Sequence, residues 1–184
     1  MVWSAKLCIL HTILASVKYR MTTAPDRPPG EIIDQGVRYL MMRPDVLMGI
    51  AHELPPQQAV HFLQALGKSV FRNAQASFQQ YRTQGSLAPD QLLAKSFGAA
   101  AHLGWGHWTL ERARDGSYQV EVRNSPFAAG FGSSPVPVCT AIAGALGGML
   151  LVAYDLTIDV RESICAAQGG PACRFALTGL ELLG

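Results

Sequence analysis

Charge is scarce in this sequence. Charged residues make up 15% of its 184 positions, and 15 Lys and Arg against 13 Asp and Glu leave a net charge of +2. That balance lacks the concentrated positive surface that neutralises phosphates, so nucleic acid is not an expected partner. Long apolar runs are also missing. The longest, 7–17 and 141–154, fall short of the roughly 20 residues that cross a bilayer as a helix, and no membrane span is expected. The first run follows Lys6, but His11 and Thr12 interrupt it, and Lys18, Tyr19 and Arg20 stand where a secretory signal carries small residues. A cytoplasmic location is therefore expected. Cysteine is limited to Cys8, Cys139, Cys165 and Cys173, too few for a disulfide scaffold in a chain of this size. No glycine-rich fingerprint of a dinucleotide site is present: Gly144, Gly147 and Gly148 fall inside a small-residue helix with no strand before it. Nor can a Ser/His/Asp set or a carboxylate pair be assembled, so the residues themselves indicate no catalytic group.

Apolar residues are plentiful, at 49% with a mean hydropathy of +0.16, which is enough for one sizeable core. Residues 1–30 read as an N-terminal tail, with 1–20 an upstream extension because Met21 opens a polar, Pro-rich stretch; residues 31–184 read as a single domain. Ile32, Ile33, Val37 and Leu40 predict a first helix, and Pro44-Asp45 opens a short second one with Val46, Leu47 and Ile50. After Pro55-Pro56, the stripe of Leu63, Val70, Ala74, Phe78 and Tyr81 predicts a long amphipathic helix. Another helix starts at Ala88-Pro89-Asp90, runs through Leu92, Leu93, Phe97 and Ala101, and stops at Gly104 and Gly106. Residues 107–113 and 118–124 alternate apolar with polar around an Asp115-Gly116 turn, which predicts a β-hairpin. A loop over 128–137 leads to a helix over 139–153, and two further strands, 156–162 and 172–177, bracket a glycine-bearing turn. The order of elements is that of an α+β fold.

Chemistry concentrates near the C-terminus. Glu162, Cys165 and Cys173 surround that turn, and the two cysteines are eight residues apart, wider than the usual gap of a zinc knuckle. With Cys139 they make three thiols and a carboxylate, a closed tetrahedral set for Zn²⁺, which takes both sulfur and oxygen. With all four positions filled the metal would be structural. Two other readings of the same residues stay open: buried free thiols, and a Cys165–Cys173 disulfide. Cys8 lies outside the cluster.

The run Val122-Arg-Asn-Ser-Pro-Phe127, then Pro137-Val-Cys139, Gly144-Ala-Leu-Gly-Gly148, Val160-Arg-Glu162, Cys165-Ala-Ala-Gln-Gly169 and Cys173-Arg-Phe175 resembles the 4-vinyl-reductase domain family over roughly residues 90–178. That family includes bacteriochlorophyll 4-vinyl reductase and the sensory domains of phenol- and xylene-responsive activators. The resemblance implies an antiparallel sheet packed on helices, a small apolar ligand cavity beside a zinc site, and a homodimer. It also implies that Cys139, Glu162, Cys165 and Cys173 hold the zinc. The ATPase and DNA-binding domains of the activators have no counterpart in this sequence.

An apolar pocket is expected to be lined by aromatics with a few polar groups to orient the ligand. The candidates are Trp105, Trp108, Tyr118, Phe127, Phe131 and Tyr154, with His102 and His107 as hydrogen-bonding partners. Each of these aromatics is also a reasonable core residue. Three functions follow: a zinc-stabilised binding domain for a small hydrophobic or aromatic molecule, acting as a stand-alone sensor or carrier; a vinyl reductase or pigment carrier of (bacterio)chlorophyll biosynthesis, on the resemblance alone; or a dimerising structural partner. The first is the reading preferred here.

Overall fold

The computed structural model describes residues 30–34, 37–83, 87–113 and 115–179. The chain divides between residues 41 and 42 into two compact units. Within the first, β1 (Ile32–Asp34) and β2 (Val37–Tyr39) form an antiparallel pair with Ile32 opposite Tyr39. This corrects the helix expected there. Ile32, Ile33, Val37 and Tyr39 are β-branched or aromatic, and Gln35-Gly36 interrupts them with a turn residue, so the local preference is for strand. The expected tail, the upstream extension and Cys8 lie outside the described residues.

The second unit carries the helices and the main sheet. Helix α1 (Pro44–Gly49) continues as a 3₁₀ turn, Ile50–Glu53, and is followed by α2 (Pro56–Thr83) and α3 (Pro89–His102). Proline opens α1, α2 and α3, where its missing N–H has no intrahelical partner to lose. Along α2 the buried positions are Leu63, Gly67, Phe78 and Tyr81, as its stripe predicts. Helix α5 (Thr140–Tyr154) is different: it is apolar all round and buried along most of its length, which marks it as the central element of the core. It crosses α2 at very short range. A Cβ on Gly144 would collide with the carbonyl oxygen of Gly67, and one on Gly67 would lie 2.8 Å from the carbonyl oxygen of Thr140. The Thr140 hydroxyl donates to the Leu63 carbonyl at 2.5 Å, pinning the start of α5 to α2.

Strands β3 (His107–Arg112), β4 (Tyr118–Arg123), β5 (Asp159–Ile164) and β6 (Cys173–Thr178) form an antiparallel sheet in the order β3-β4-β6-β5. The architecture is thus α+β, with helices packed on an antiparallel sheet. Trp108, Val120, Val122, Cys173, Phe175 and Leu177 face the core, and the register places Val122 opposite both Trp108 and Cys173. On the other face Glu121 sits between Arg123 and Arg174, with Oε1 2.7 Å from the first and Oε2 3.0 Å from the second. A further correction concerns residues 128–137, where a loop was expected. Helix α4 (Pro126–Phe131) occupies its start, because Ser125 caps it, Pro126 opens it, and the two alanines that follow Phe127 favour helix. Gly130 lets α4 seat on α1, since a Cβ there would lie 2.5 Å from the Pro44 carbonyl.

Candidate functional site

Three segments distant in sequence deliver the chemistry to one corner. Cys139 immediately precedes α5, Glu162 lies on β5, Cys165 follows β5, and Cys173 opens β6. The register of β5 against β6 shifts between Glu162 and Ile164. Such a bulge re-aims the strand, here just before Cys165. A 3₁₀ turn, Ala166–Gln168, then folds the chain back, ending at Gly169 with φ 87°. Gly170 is required by close approach, because a Cβ there would sit 2.7 Å from Ile164 Cγ2 and 3.0 Å from the Cys165 carbonyl oxygen.

One ligand atom from each of Cys139, Glu162, Cys165 and Cys173 lies within 4.8 Å of all the others. The cysteines are free thiols, at most 1% exposed. The disulfide reading is therefore not the arrangement seen. Cys139 Sγ and Cys173 Sγ are 3.5 Å apart, close to the roughly 3.8 Å separation that tetrahedral zinc imposes on two sulfurs bound at about 2.3 Å. The Cys139 backbone N–H donates to Glu162 Oε2 at 2.9 Å, which fixes the carboxylate. Its other oxygen, Oε1, is buried with no hydrogen-bond partner among the described residues. A buried carboxylate oxygen left without a partner costs free energy unless a proton or a cation meets it, and the three thiols are placed to share such a cation. The donor set and the orphaned oxygen both fit a tetrahedral metal.

Protonation follows the same logic. Hydrogen bonds from the Cys139 and Cys173 thiols hold the Cys165 thiol well below its ordinary value. Cys139 is pushed far up, first by its bond to Cys165, then by Cys173, burial and the Glu162 charge. At Cys173 the Cys139 bond lowers the value, but the Cys165 bond and burial outweigh it and the thiol rises to about 12. Burial, then the adjacent Cys165 sulfur, push Glu162 up to about 8. The cluster accepts one negative charge readily and resists the next. A divalent cation removes that resistance by replacing the protons.

The expected ligand-binding residues are not gathered in one place. A groove of about 540 Å³ runs between α3 and β3, lined by Asp90, Leu93, Phe97 and Ala101 on the helix and by His107, Trp108 and Leu110 on the strand. Trp108 is buried, donates its indole N–H to the Trp105 carbonyl at 2.9 Å, and meets Phe97 ring to ring at 5.5 Å. Trp105 packs edge-on against Phe127 with centroids 5.0 Å apart. Phe131 instead meets His52, at 4.5 Å. Tyr118 lies under Arg112, the Tyr154 hydroxyl donates to Asp90 Oδ1 at 2.6 Å, and His102 is exposed with Nδ1 2.7 Å from the Gly98 carbonyl oxygen. Sequence reasoning missed Phe97 and Asp90 as groove residues. The positions Asp90, Leu93, Ala94, Phe97 and Ala101 do share one helical face, but such a stripe reads as core until the neighbouring strand is known to be an edge.

Residues 118–178, which contain all four cluster residues, match the family model of the 4-vinyl-reductase domain. The resemblance to that family read from the sequence is shown over that stretch. Among solved structures, the chain is similar to the phenol-responsive sensory domain of the transcription activator PoxR with phenol, at 19% identity and a TM-score of 0.70, covering 91% of this chain and 89% of that one. It is similar to a trafficking protein particle complex subunit 3 from Naegleria fowleri covalently bound to palmitic acid, at 14% identity and a TM-score of 0.51, covering 73% and 95%. A vinyl-4-reductase family protein from Methanocaldococcus jannaschii aligns at 18% identity with a TM-score of 0.44, covering 78% and 98%. No curated protein matches the sequence.

Proposed function

We propose that this chain is a zinc-stabilised binding domain for a small hydrophobic or aromatic molecule, acting as a stand-alone sensor or carrier in the cytoplasm and assembling as a homodimer. The observation that carries the proposal is the buried cluster of Cys139, Glu162, Cys165 and Cys173, whose unpartnered Glu162 oxygen calls for a cation. Zinc suits three thiolates and a carboxylate, and with four protein ligands its contribution is folding energy rather than catalysis. The four residues tie the start of α5 to β5 and β6 and so hold the sheet on its central helix.

The groove between α3 and β3 is the candidate ligand site. Phe97, Leu93 and Trp108 supply apolar walls, while Asp90 and His107 supply polar ends that orient a bound molecule. Two further supports are the match to the 4-vinyl-reductase domain and the shared fold of the phenol-responsive domain. Trp105, Phe127, Tyr118, Tyr154 and His102 remain part of the proposed binding region, with Trp105 and Phe127 backing Trp108. The vinyl-reductase alternative rests on the resemblance alone. Native mass spectrometry with elemental analysis tests the proposal: one zinc per chain in a dimer, with phenol or a methylphenol quenching tryptophan fluorescence saturably, is expected. A metal-free folded chain, or one whose fluorescence no arene alters, overturns the corresponding half.

A further inference from the structure

We infer that Ser125 is a positioning residue for the metal site: its hydroxyl holds the Cys139 sulfur and ties it to helix α4. Ser125 is 4% exposed, and its Oγ lies 3.2 Å from Cys139 Sγ. The same Oγ accepts the Ala128 N–H at 3.3 Å as the cap of α4. A hydroxyl has one proton and two lone pairs. With a lone pair engaged by Ala128, the proton is free for the sulfur. A metal-bound thiolate has no proton of its own, so the direction is fixed, and Ser125 donates.

The need for this side chain follows from how the other sulfurs are served. The Ala166 backbone N–H donates to Cys173 Sγ at 3.3 Å, and the Val138 backbone N–H bonds to Cys165. The Cys139 backbone N–H is already committed to Glu162. Ser125 thus does for Cys139 what the main chain does for its two partners, and among these donors it alone can be removed by substitution. Hydrogen bonds to thiolates draw off negative charge that three sulfurs and a carboxylate would otherwise concentrate on one divalent ion. Ser125 also joins two parts of the unit, because Phe127, two residues on in α4, packs against Trp105.

Cobalt(II) titration of the full chain tests this, because thiolate-to-cobalt charge transfer reports directly on the sulfurs. Ser125→Gly keeps most of the capping preference while removing the hydroxyl, and Ser125→Thr keeps both. The Gly variant is expected to bind cobalt about 10-fold more weakly or worse, with the charge-transfer band moved to longer wavelength, and the Thr variant to match the parent. Ser125→Ala is expected to repeat the Gly spectrum and to lose additional stability, with or without metal, from the missing cap. A Gly variant with parental affinity and spectrum overturns the inference, as does a Thr variant that behaves like Gly. The inference rests on the metal-site reading. A parent chain that binds neither cobalt nor zinc removes both, whereas a parent that binds and a Gly variant that equals it removes this inference alone.

Discussion

The metal corner and the groove stand in the same unit but are held by opposite means. In the corner, the ligand atoms of four side chains lie within 4.8 Å of one another, with Ser125 and backbone N–H groups bonded to them. Each atom there has a partner of defined geometry, apart from the Glu162 oxygen that faces the cluster. The groove has little of this. Its walls are one stripe of α3 and the edge strand β3, meeting through ring contacts and apolar packing. Directional bonds make a site rigid and exclusive, while packing without them leaves room for molecules of several shapes. The corner is thus suited to hold one ion permanently, and the groove to exchange its occupant.

Breaking the corner is expected to have the largest effect. Cys165→Ser or Cys173→Ser should drop zinc from one per chain to none, measured by elemental analysis. Metal at about 1,000 times its Kd stabilises by ~4 kcal/mol, which at this chain length amounts to a fall of about 10 °C in Tm when the metal is lost. A variant that retains zinc and Tm would show that the corner is held by thiol packing alone. Next in size is Gly144→Ala on the helix that runs from the corner. Its Cβ meets the Gly67 carbonyl, and overpacking of this kind costs about 1–3 kcal/mol, to be read by thermal or urea unfolding. Because the clash lies within the α2–α5 crossing, it should lower stability in metal-free and zinc-loaded protein alike. Loss confined to the loaded form would place the strain at the cluster instead.

The groove is expected to yield a smaller and separable effect. Phe97→Ala removes a half-buried ring from its wall and should weaken arene binding about 10-fold, equivalent to ~1.4 kcal/mol, while leaving the zinc content unchanged. Fluorescence titration and elemental analysis on the same sample check both parts. If zinc is lost as well, the two regions do not have the independence argued for them.

The two regions also differed in how far they could be read from sequence. Cysteine and glutamate advertise metal chemistry wherever they fall, so Glu162, Cys165 and Cys173 stood out around their turn. Cys139 joined them by resemblance, because no spacing rule spans the distance from it to Glu162. The long α2 was legible because its apolar stripe repeats over many turns, which strand periodicity cannot mimic. Residues 31–40 were misjudged because so short a stretch does not separate the two periods. The start of α4 was missed because the glycines, serines and prolines around it read as loop, although Ser125-Pro126 carried a cap-and-start signal. The groove was least legible. Phe97 and Trp108 have the pattern of core residues, and only the strand order, which leaves β3 at an edge, makes the space between them reachable.

The finest test of the corner is the pH dependence of the metal-free protein. Glu162 is raised from 4.5 to about 8, first by burial and then by the Cys165 sulfur. The folded chain therefore binds this proton more tightly than the unfolded chain does. An acid raised in this way stabilises the fold while protonated in both states, and its contribution declines as pH rises from 4.5 to about 8. Metal-free protein is thus expected to lose Tm by a few degrees between about pH 5 and pH 8, with Glu162→Gln flattening the slope. Zinc should reverse the sign, because metal must displace the protons and its affinity grows with pH. The reversal separates the corner from any general titration of the surface: exposed carboxylates and histidines are common to both forms, whereas the competition between proton and metal for one buried oxygen exists only at Glu162. A metal-free protein whose Tm is level across this range would show that the carboxyl finds its counter-charge without a cation.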